Sequence, residues 1–343
     1  MQTVRYVSHN ENGHFPNDFP TIAEAIKSVP VDNTEYITIF IRKGTYREKL
    51  VVDRPFICFL GEDANETIIT YDDYALMMME DGVKRGTFRT PTVFINTHDF
   101  IARNLTFQNS AGFGNKVGQA LALYVDGDRI VFDDCKMLGS QDTLFTAPLP
   151  PTPHEPGGFT GPKEFAPRVN GRHYYHKCYI RGDVDFIFGS ATAYFDNCEI
   201  FSQKNDDLPP AKHLEDQKIY GYVTAASTPK DQEYGYVFSN CQLTSDCPRK
   251  SVYLGRPWRN YAKTVFLNCE LGDHIRDEGW CDWNKPEAHE TILYAEYHNT
   301  GAGADGVARQ KRASFSRQLT DEEALNYTKE RVLRGKDGWI PSL

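Results

Sequence analysis

The sequence predicts an all-β solenoid, and three observations carry that prediction. Short runs rich in β-branched and aromatic residues recur along the chain, a Cys-containing unit recurs at one place within them, and no long amphipathic helix separates them. The runs are Tyr36 to Ile41, Thr92 to Asn96, Leu121 to Val125, Tyr174 to Ile180, Tyr194 to Ile200, Tyr236 to Leu243 and Thr264 to Leu271. Gly, Asn and Asp punctuate them, as they do between strands. The repeated unit is Asp134-Cys135, Lys177-Cys178, Asn197-Cys198, Asn240-Cys241 and Asn268-Cys269, followed two residues later by Met137, Ile180, Ile200, Leu243 or Leu271. Cys178 and Cys198 stand 20 residues apart; Cys135 and Cys178 stand 43 apart, close to one period once an insertion between them is set aside. Without helices between the strands, βαβ units fit poorly. A period of this size holding only strands marks stacked coils.

The ends of a stack need covering, because an open coil exposes strand edges and core. Thr21-Ile22-Ala23-Glu24 has the form of a capping box, and Ile22, Ala25, Ile26 and Val29 follow at helical spacing. Thr320-Asp321-Glu322-Glu323 has the same form and opens a C-terminal helix containing Leu325 and Val332, expected to pack back on the coils. The eight cysteines suit this architecture. Recurrence at one place in the repeat predicts an interior stack of small apolar side chains and mostly free thiols, with bridged pairs in an exported protein as the alternative. One segment breaks the pattern: seven prolines lie from Pro148 to Pro167 together with Gly157, Gly158 and Gly161. It is too proline-rich for a central strand. Because the same repeat resumes beyond it, it reads as a loop inserted between two coils rather than an interdomain linker.

Composition narrows the function classes. Hydrophobic residues make up 40% and charged residues 25% of the 343 residues, an ordinary composition able to bury a large core. No apolar run is long enough for a membrane span. The opening Met1-Gln2-Thr3-Val4-Arg5-Tyr6 lacks the features of a secretory signal, which with the free thiols points to the cytoplasm; a secreted protein whose signal has been removed is the alternative. A net charge of −9 argues against nucleic acid and would repel a heavily ionised polyanion. A sugar polymer whose carboxylates are masked as neutral esters would meet no such barrier.

Two clusters stand out chemically. Gly139-Ser140-Gln141-Asp142-Thr143-Leu144 follows a predicted strand, and Asp183-Val184-Asp185-Phe186-Ile187-Phe188-Gly189 embeds acids in an otherwise apolar run. A buried carboxylate is costly without a cation or strong donors, so Asp185 calls for a partner. Arg256, in Leu254-Gly255-Arg256-Pro257-Trp258, is the natural one. Singly, each has a plain structural reading, as a turn former or an ion pair. Stacked coils give the means to set them side by side on one face.

Here the chain resembles the pectin methylesterase family. Gly44-Thr45-Tyr46-Arg47-Glu48 resembles its G-x-Y-x-E motif, and Gln119-Ala120-Leu121-Ala122-Leu123 its Q-A-x-A-L. Gly139 to Leu144 is similar to G-x-Q-D-T-L, Asp185 to Gly189 to D-F-I-F-G, and Leu254 to Trp258 to L-G-R-P-W, all in family order. The resemblance implies a right-handed parallel β-helix, one domain over 1–343 with the insertion at about 146–171, and hydrolysis of galacturonate methyl esters. It implies Asp185 as nucleophile, Asp142 as general acid and then base, Gln119 and Gln141 at the oxyanion, and Arg256 holding Asp185. Thr87, Trp258 and Phe186 are implied as sugar contacts, with Trp280 and Trp283 as further aromatic candidates. Pectin or a methylated oligomer is then the partner, with no cofactor and no metal expected, and the protein is expected to be monomeric.

The insertion departs from the family. Its place suggests a wall beside the cleft that favours short oligomers; an inert surface loop is the alternative. Three other activities compete. A polygalacturonase also uses two carboxylates, but paired glutamines and Arg-Pro-Trp suit ester chemistry. A lyase would bring a calcium site, and no calcium-type loop is present. Another acyl ester or thioester remains open as substrate, as does a catalytically inactive carbohydrate-binding solenoid.

Overall fold

Most repeat runs fold as two strands meeting at a corner, and the corner explains the repeated unit. In the computed structural model, which describes residues 3–8, 18–207 and 218–342, the run from Tyr174 to Ile180 divides between strands Arg172–His176 and Tyr179–Gly182. Lys177, between them, has φ 50°. Asp134, Asn197, Asn240 and Asn268, each also preceding a cysteine, have φ between 52° and 54°. Asn and Asp tolerate this left-handed conformation better than most residues. The bend turns the following cysteine inward, and Cys135, Cys178, Cys198, Cys241 and Cys269 are all buried. All eight cysteines are free thiols, as the repeat predicts.

Successive coils stack into a right-handed parallel β-helix. Among the described residues the strands form three parallel sheets of twelve, eight and seven strands. Because neighbouring strands lie about 4.8 Å apart, identical positions on successive coils bring rings to stacking distance. Phe132, Tyr175, Phe195, Phe238 and Phe266 form such a ladder, with centroids 5.1, 4.6, 4.4 and 4.5 Å apart. Each buried ring contributes roughly 1.5–3 kcal/mol through burial alone.

The N-terminal helix is Ile22–Lys27, and Thr21 Oγ1 accepts the amide N–H of Glu24 at 3.1 Å. Its remaining free amides find a distant partner: Ile22 and Ala23 donate to the Glu48 carboxylate at 2.9 and 3.0 Å. Glu48 thus ties the cap to the first coils. At the other end the Thr320–Glu323 capping box forms, but the expected single helix is three short pieces. These are Asp321–Ala324, a 3-10 turn Leu325–Tyr327, and Lys329–Leu333. The break is Thr328, extended at φ −68°, ψ 151°, whose side chain caps the last piece. Leu325 is consequently exposed, while Val332 and Leu333 are buried against Val131, Tyr174 and Tyr194 on the outside of the twelve-stranded sheet.

The proline-rich insertion is ordered by its own contacts. The Arg168 guanidinium donates to the carbonyls of Lys163, Glu164 and Ala166, all at 2.7 Å. Lys163 reaches back to Asn96 Oδ1 at 2.8 Å and to Asp126 at 3.1 Å. The segment is thereby fixed beyond the C-terminal ends of strands Val93–Ile95 and Leu123–Val125 of the seven-stranded sheet.

Candidate active site

The seven-stranded sheet carries the two acidic clusters on consecutive coils and the arginine two coils further on. Leu123, Leu144, Ile187, Thr224 and Gly255 stand in register across it. Gln119, Gln141, Asp142, Asp185 and Arg256 therefore open into one pocket of about 240 Å³, with Thr87, Trp258 and Trp283 on its walls. The two clusters are joined directly, since the Asp142 amide donates to the Val184 carbonyl at 3.0 Å. Both aspartates are in the left-handed region, Asp142 at φ 65° and Asp185 at φ 51°. Backbone strain of this kind is often held at functional sites.

Two glycines make the close approach possible. A Cβ on Gly114 would meet Gln141 Oε1 at 2.1 Å, and one on Gly182 would meet Phe186 Cβ at 2.2 Å and the Ser140 carbonyl at 2.6 Å. Either substitution would displace backbone or side chain next to the acids.

Arg256 holds Asp185 with a two-pronged pair, Nε to Oδ1 at 2.8 Å and Nη2 to Oδ2 at 2.7 Å. The guanidinium itself lies between the rings of Tyr222 and Trp283, 3.8 and 3.7 Å from their centroids. Planar stacking on both faces is a role Lys cannot reproduce. Burial pushes the Asp185 carboxyl above its ordinary range, and the Arg256 hydrogen bonds and charge pull it back. Asp142 is as deeply buried but forms no ion pair among the described residues, and burial followed by repulsion from Asp185 pushes it well above the ordinary carboxylate range. Asp183 adds to that repulsion; burial raises it to about 6. The first proton to leave is therefore that of Asp185, which leaves an ionised carboxylate facing a protonated one.

Eight of the ten residues named from the sequence line this pocket; Phe186 and Trp280 do not. Phe186 is fully buried in the coil interior. Its strand pairing is irregular between Val184 and Ile187, so Phe186 and Ile187 both join the interior cluster. The outward face resumes at Phe188, which lines the pocket in Phe186's place. Trp280 is 2% exposed and stacks on Tyr294 at 4.2 Å inside the solenoid, so it is core. Trp283 takes the cleft position. Sequence reasoning did not pick out Phe88, Phe188 and Ala225 on the walls, nor Tyr222 against Arg256. Tyr222 carried no signal beyond its place in a strand, whereas Phe188 would have followed from recognising the irregularity at Asp185.

The insertion lines this site. Gly158 lines the pocket, and Phe159 is buried against Phe88 and Trp258, with ring centroids 5.7 and 6.1 Å away.

A parallel β-helix whose aromatic-walled cleft holds two buried aspartates, one paired with an arginine, has the groups that a hydrolase needs. The comparisons specify it. The sequence pattern of the Pectinesterase family matches residues 6–149 and 168–336, breaking only at the insertion. The chain is 34% identical over 99% of its length to the pectinesterase QRT1 of Arabidopsis thaliana, covering 79% of that protein. It is 33% identical to the putative pectinesterase/pectinesterase inhibitor 43 of the same plant, of which it spans 41%. A crystal structure of a pectin methylesterase in complex with a hexasaccharide superposes with TM-score 0.79 at 32% identity, covering 100% of this chain and 99% of that one. The carrot pectin methylesterase gives TM-score 0.79 at 30% identity, covering 97% and 93%. The chain belongs to the pectinesterase family, whose members are carboxylic ester hydrolases.

Proposed function

We propose that this protein hydrolyses the methyl esters of galacturonate units in pectin, through a covalent intermediate on Asp185. The observation that carries this reading is the difference between the two buried aspartates, one held by Arg256 and one left to keep its proton. A carboxylate oxygen of Asp185 attacks the ester carbonyl carbon. The developing oxyanion takes hydrogen bonds from the side-chain amides of Gln119 and Gln141, neutral donors fixed before reaction. Methoxide is a poor leaving group, so Asp142 gives its proton as the C–O bond breaks and methanol departs. Asp142, now ionised, takes a proton from water as that water attacks the acyl-enzyme anhydride. Galacturonate leaves, Asp185 is free again and Asp142 is reprotonated. Thr87, Trp258 and Trp283 contact the sugar chain, the aromatic faces lying against apolar faces of the rings.

Methanol release from highly methylated pectin tests the reaction. Release of reducing ends without methanol would instead mark a glycosidase. Arg256→Lys should retain a cation but lose the fork and the stacking between Tyr222 and Trp283. We expect kcat to fall roughly 100-fold, with KM little changed, since the pair positions the nucleophile rather than the sugar. A variant with wild-type kcat would remove Arg256 from the mechanism.

The insertion bears on which substrates enter. Loss of residues 150–167 would uncover Phe88 and Trp258 on one bank of the cleft. We expect the ratio of rates on short methylated oligomers to rates on long pectin to fall several-fold in such a variant. An unchanged ratio would leave the insertion a wall with no bearing on chain length.

A further inference from the structure

Lys285 stands behind the reacting groups and serves no part of the reaction above. The chain delivers it by a sharp turn: Trp283 and Asn284, just before it, are both in the left-handed region, at φ 56° and 54°. Two such residues in succession fold the backbone back on itself. The Lys285 amide closes the turn on the Asp282 carbonyl at 3.0 Å.

The side chain then crosses to the segment that carries Arg256. Lys285 Nζ donates to the carbonyls of Pro257 and Trp258 at 2.8 and 3.1 Å, and lies over the Trp283 ring, 4.7 Å from its centroid. Those carbonyls belong to the two residues directly after Arg256. Ahead of Arg256, the Cys281 amide donates to the Gly255 carbonyl at 3.0 Å. The turn bearing Trp283 is thus tied to the Arg256 segment on both sides of the arginine. Trp283 is thereby kept on the guanidinium face opposite Tyr222.

Backbone carbonyls hold this ammonium, and among the described residues it forms no ion pair, so its charge is left to act at longer range. Arg256, by contrast, is paired with Asp185. Burial raises the Asp185 carboxyl, the Arg256 hydrogen bonds and charge draw it back, and the Lys285 charge acts in the same direction as Arg256. Asp142 and Asp183 face Asp185 as like charges. Tyr222, Tyr294 and Cys281 also feel its charge, and each is held neutral by burial. Lys285 itself faces Arg259 and Arg256, with Glu287 and Asp185 opposing them. His154, the neutral acceptor of an Arg259 N–H, lies within reach of its charge. Burial, then Arg259 and Arg256, lower Lys285 to about 8, so it carries its charge in acid and at neutral pH.

We propose that Lys285 is a positioning residue for the nucleophile: tied to the Pro257 and Trp258 carbonyls, it keeps Trp283 stacked on Arg256 and holds a second cation toward the Asp185 carboxylate. The proposal rests on the reading of Asp185 as the nucleophile. Lys285 is not among the residues that line the pocket, so its effect passes through Arg256 and Asp185 rather than through the sugar.

The pH profile of methanol release from a fully methylated oligomer tests this, because that substrate is neutral and does not itself answer to a lost charge. Lys285→Met keeps the apolar stem over Trp283 and removes the charge and the donors. Taking a cation away disfavours the ionised form of Asp185, so the acid limb of kcat/KM should move to higher pH. We expect a displacement of about 0.5–1 pH unit, a roughly three- to tenfold loss of kcat/KM on the acid side. KM should change less than about twofold. Lys285→Arg, which restores a cation and its donors, should return the limb close to its wild-type position.

Mere loosening of the turn would lower the rate alike at every pH, so an acid limb unmoved in Lys285→Met would overturn the proposal. A limb displaced as far in Lys285→Arg would do the same, as would a rise in KM with kcat unchanged, which would make Lys285 a sugar contact. The infrared carboxylate band of Asp185, taken as the difference between each protein and its Asp185→Asn counterpart, follows the same titration without catalysis. If wild type released no methanol from pectin, the functional reading would fail. The band would still decide the role of Lys285, titrating at higher pH in Lys285→Met if the proposal holds and unmoved if it does not.

Discussion

Asp185→Asn should reduce methanol release by roughly 10⁴-fold or more while leaving the coils intact. The chemical reason is that an amide oxygen cannot form and then leave the acyl-enzyme bond that the carboxylate makes. The structural reason for expecting an undisturbed fold is the backbone: Asp185 sits at φ 51°, a conformation Asn adopts as readily as Asp. Asn also keeps the size of the side chain, so the irregular pairing between Val184 and Ile187 need not change. One cost remains. Arg256 would lose its carboxylate and keep one acceptor, but stacking between Tyr222 and Trp283 still holds the guanidinium. Far-ultraviolet circular dichroism and thermal unfolding report the fold, and a methanol assay reports the chemistry. A folded Asp185→Asn with substantial activity would take the nucleophile's role away from Asp185.

The fold was legible because stacked coils repeat their physics. A left-handed corner followed by an inward cysteine recurs at Asp134, Lys177, Asn197, Asn240 and Asn268, so even one sequence shows the period. The site was legible where polar residues interrupt apolar strands, as at Asp185, or crowd a turn, as at Gln141-Asp142. Two things were not. Strand alternation counted from Asp185 puts Phe186 inward but fails at the next residue, since Ile187 also points inward and Phe188 outward. In Gly279-Trp280-Cys281-Asp282-Trp283 nothing local says which tryptophan is core. Packing decided: Trp280 lies on Tyr294, and Trp283 is drawn to the Arg256 guanidinium. The C-terminal helix was misjudged for a related reason, since Thr328 can cap a new turn as easily as continue an old one.

Charge connects these parts. The solenoid as a whole is acidic, yet Arg256 and Lys285 both act on Asp185 through charge, and Arg256 acts on Asp142 as well. Arg256 is spent on one aspartate, which sharpens the difference between the two. Arg259 and Lys285 lie over the rings of Trp258 and Trp283, 5.0 and 4.7 Å from their centroids.

Asp142→Asn should show function and stability moving in opposite directions. Activity should fall by roughly 10³-fold, because Asn can neither protonate methoxide nor take a proton from water. Stability at neutral pH should rise by about 1 kcal/mol. The sign follows from the direction of the shift. Burial and the charge of Asp185 raise the Asp142 carboxyl well above its unfolded value of about 3.8, so the folded protein keeps a proton that the unfolded chain releases. The stabilisation tied to that proton is complete at pH below the unfolded value and is lost as pH rises through the folded one. Asn is neutral at every pH and escapes that loss, and at φ 65° it suits the backbone as well as Asp does. Thermal unfolding measured against pH should therefore show the two proteins alike in acid, with the variant gaining as the pH is raised. The same ionisations should shape the wild-type rate, which we expect to fall in acid as Asp185 gains a proton and in alkali as Asp142 loses one. A variant no more stable than wild type at neutral pH would mean that Asp142 is not held protonated by its surroundings, and the acid would have to be sought elsewhere in the cleft.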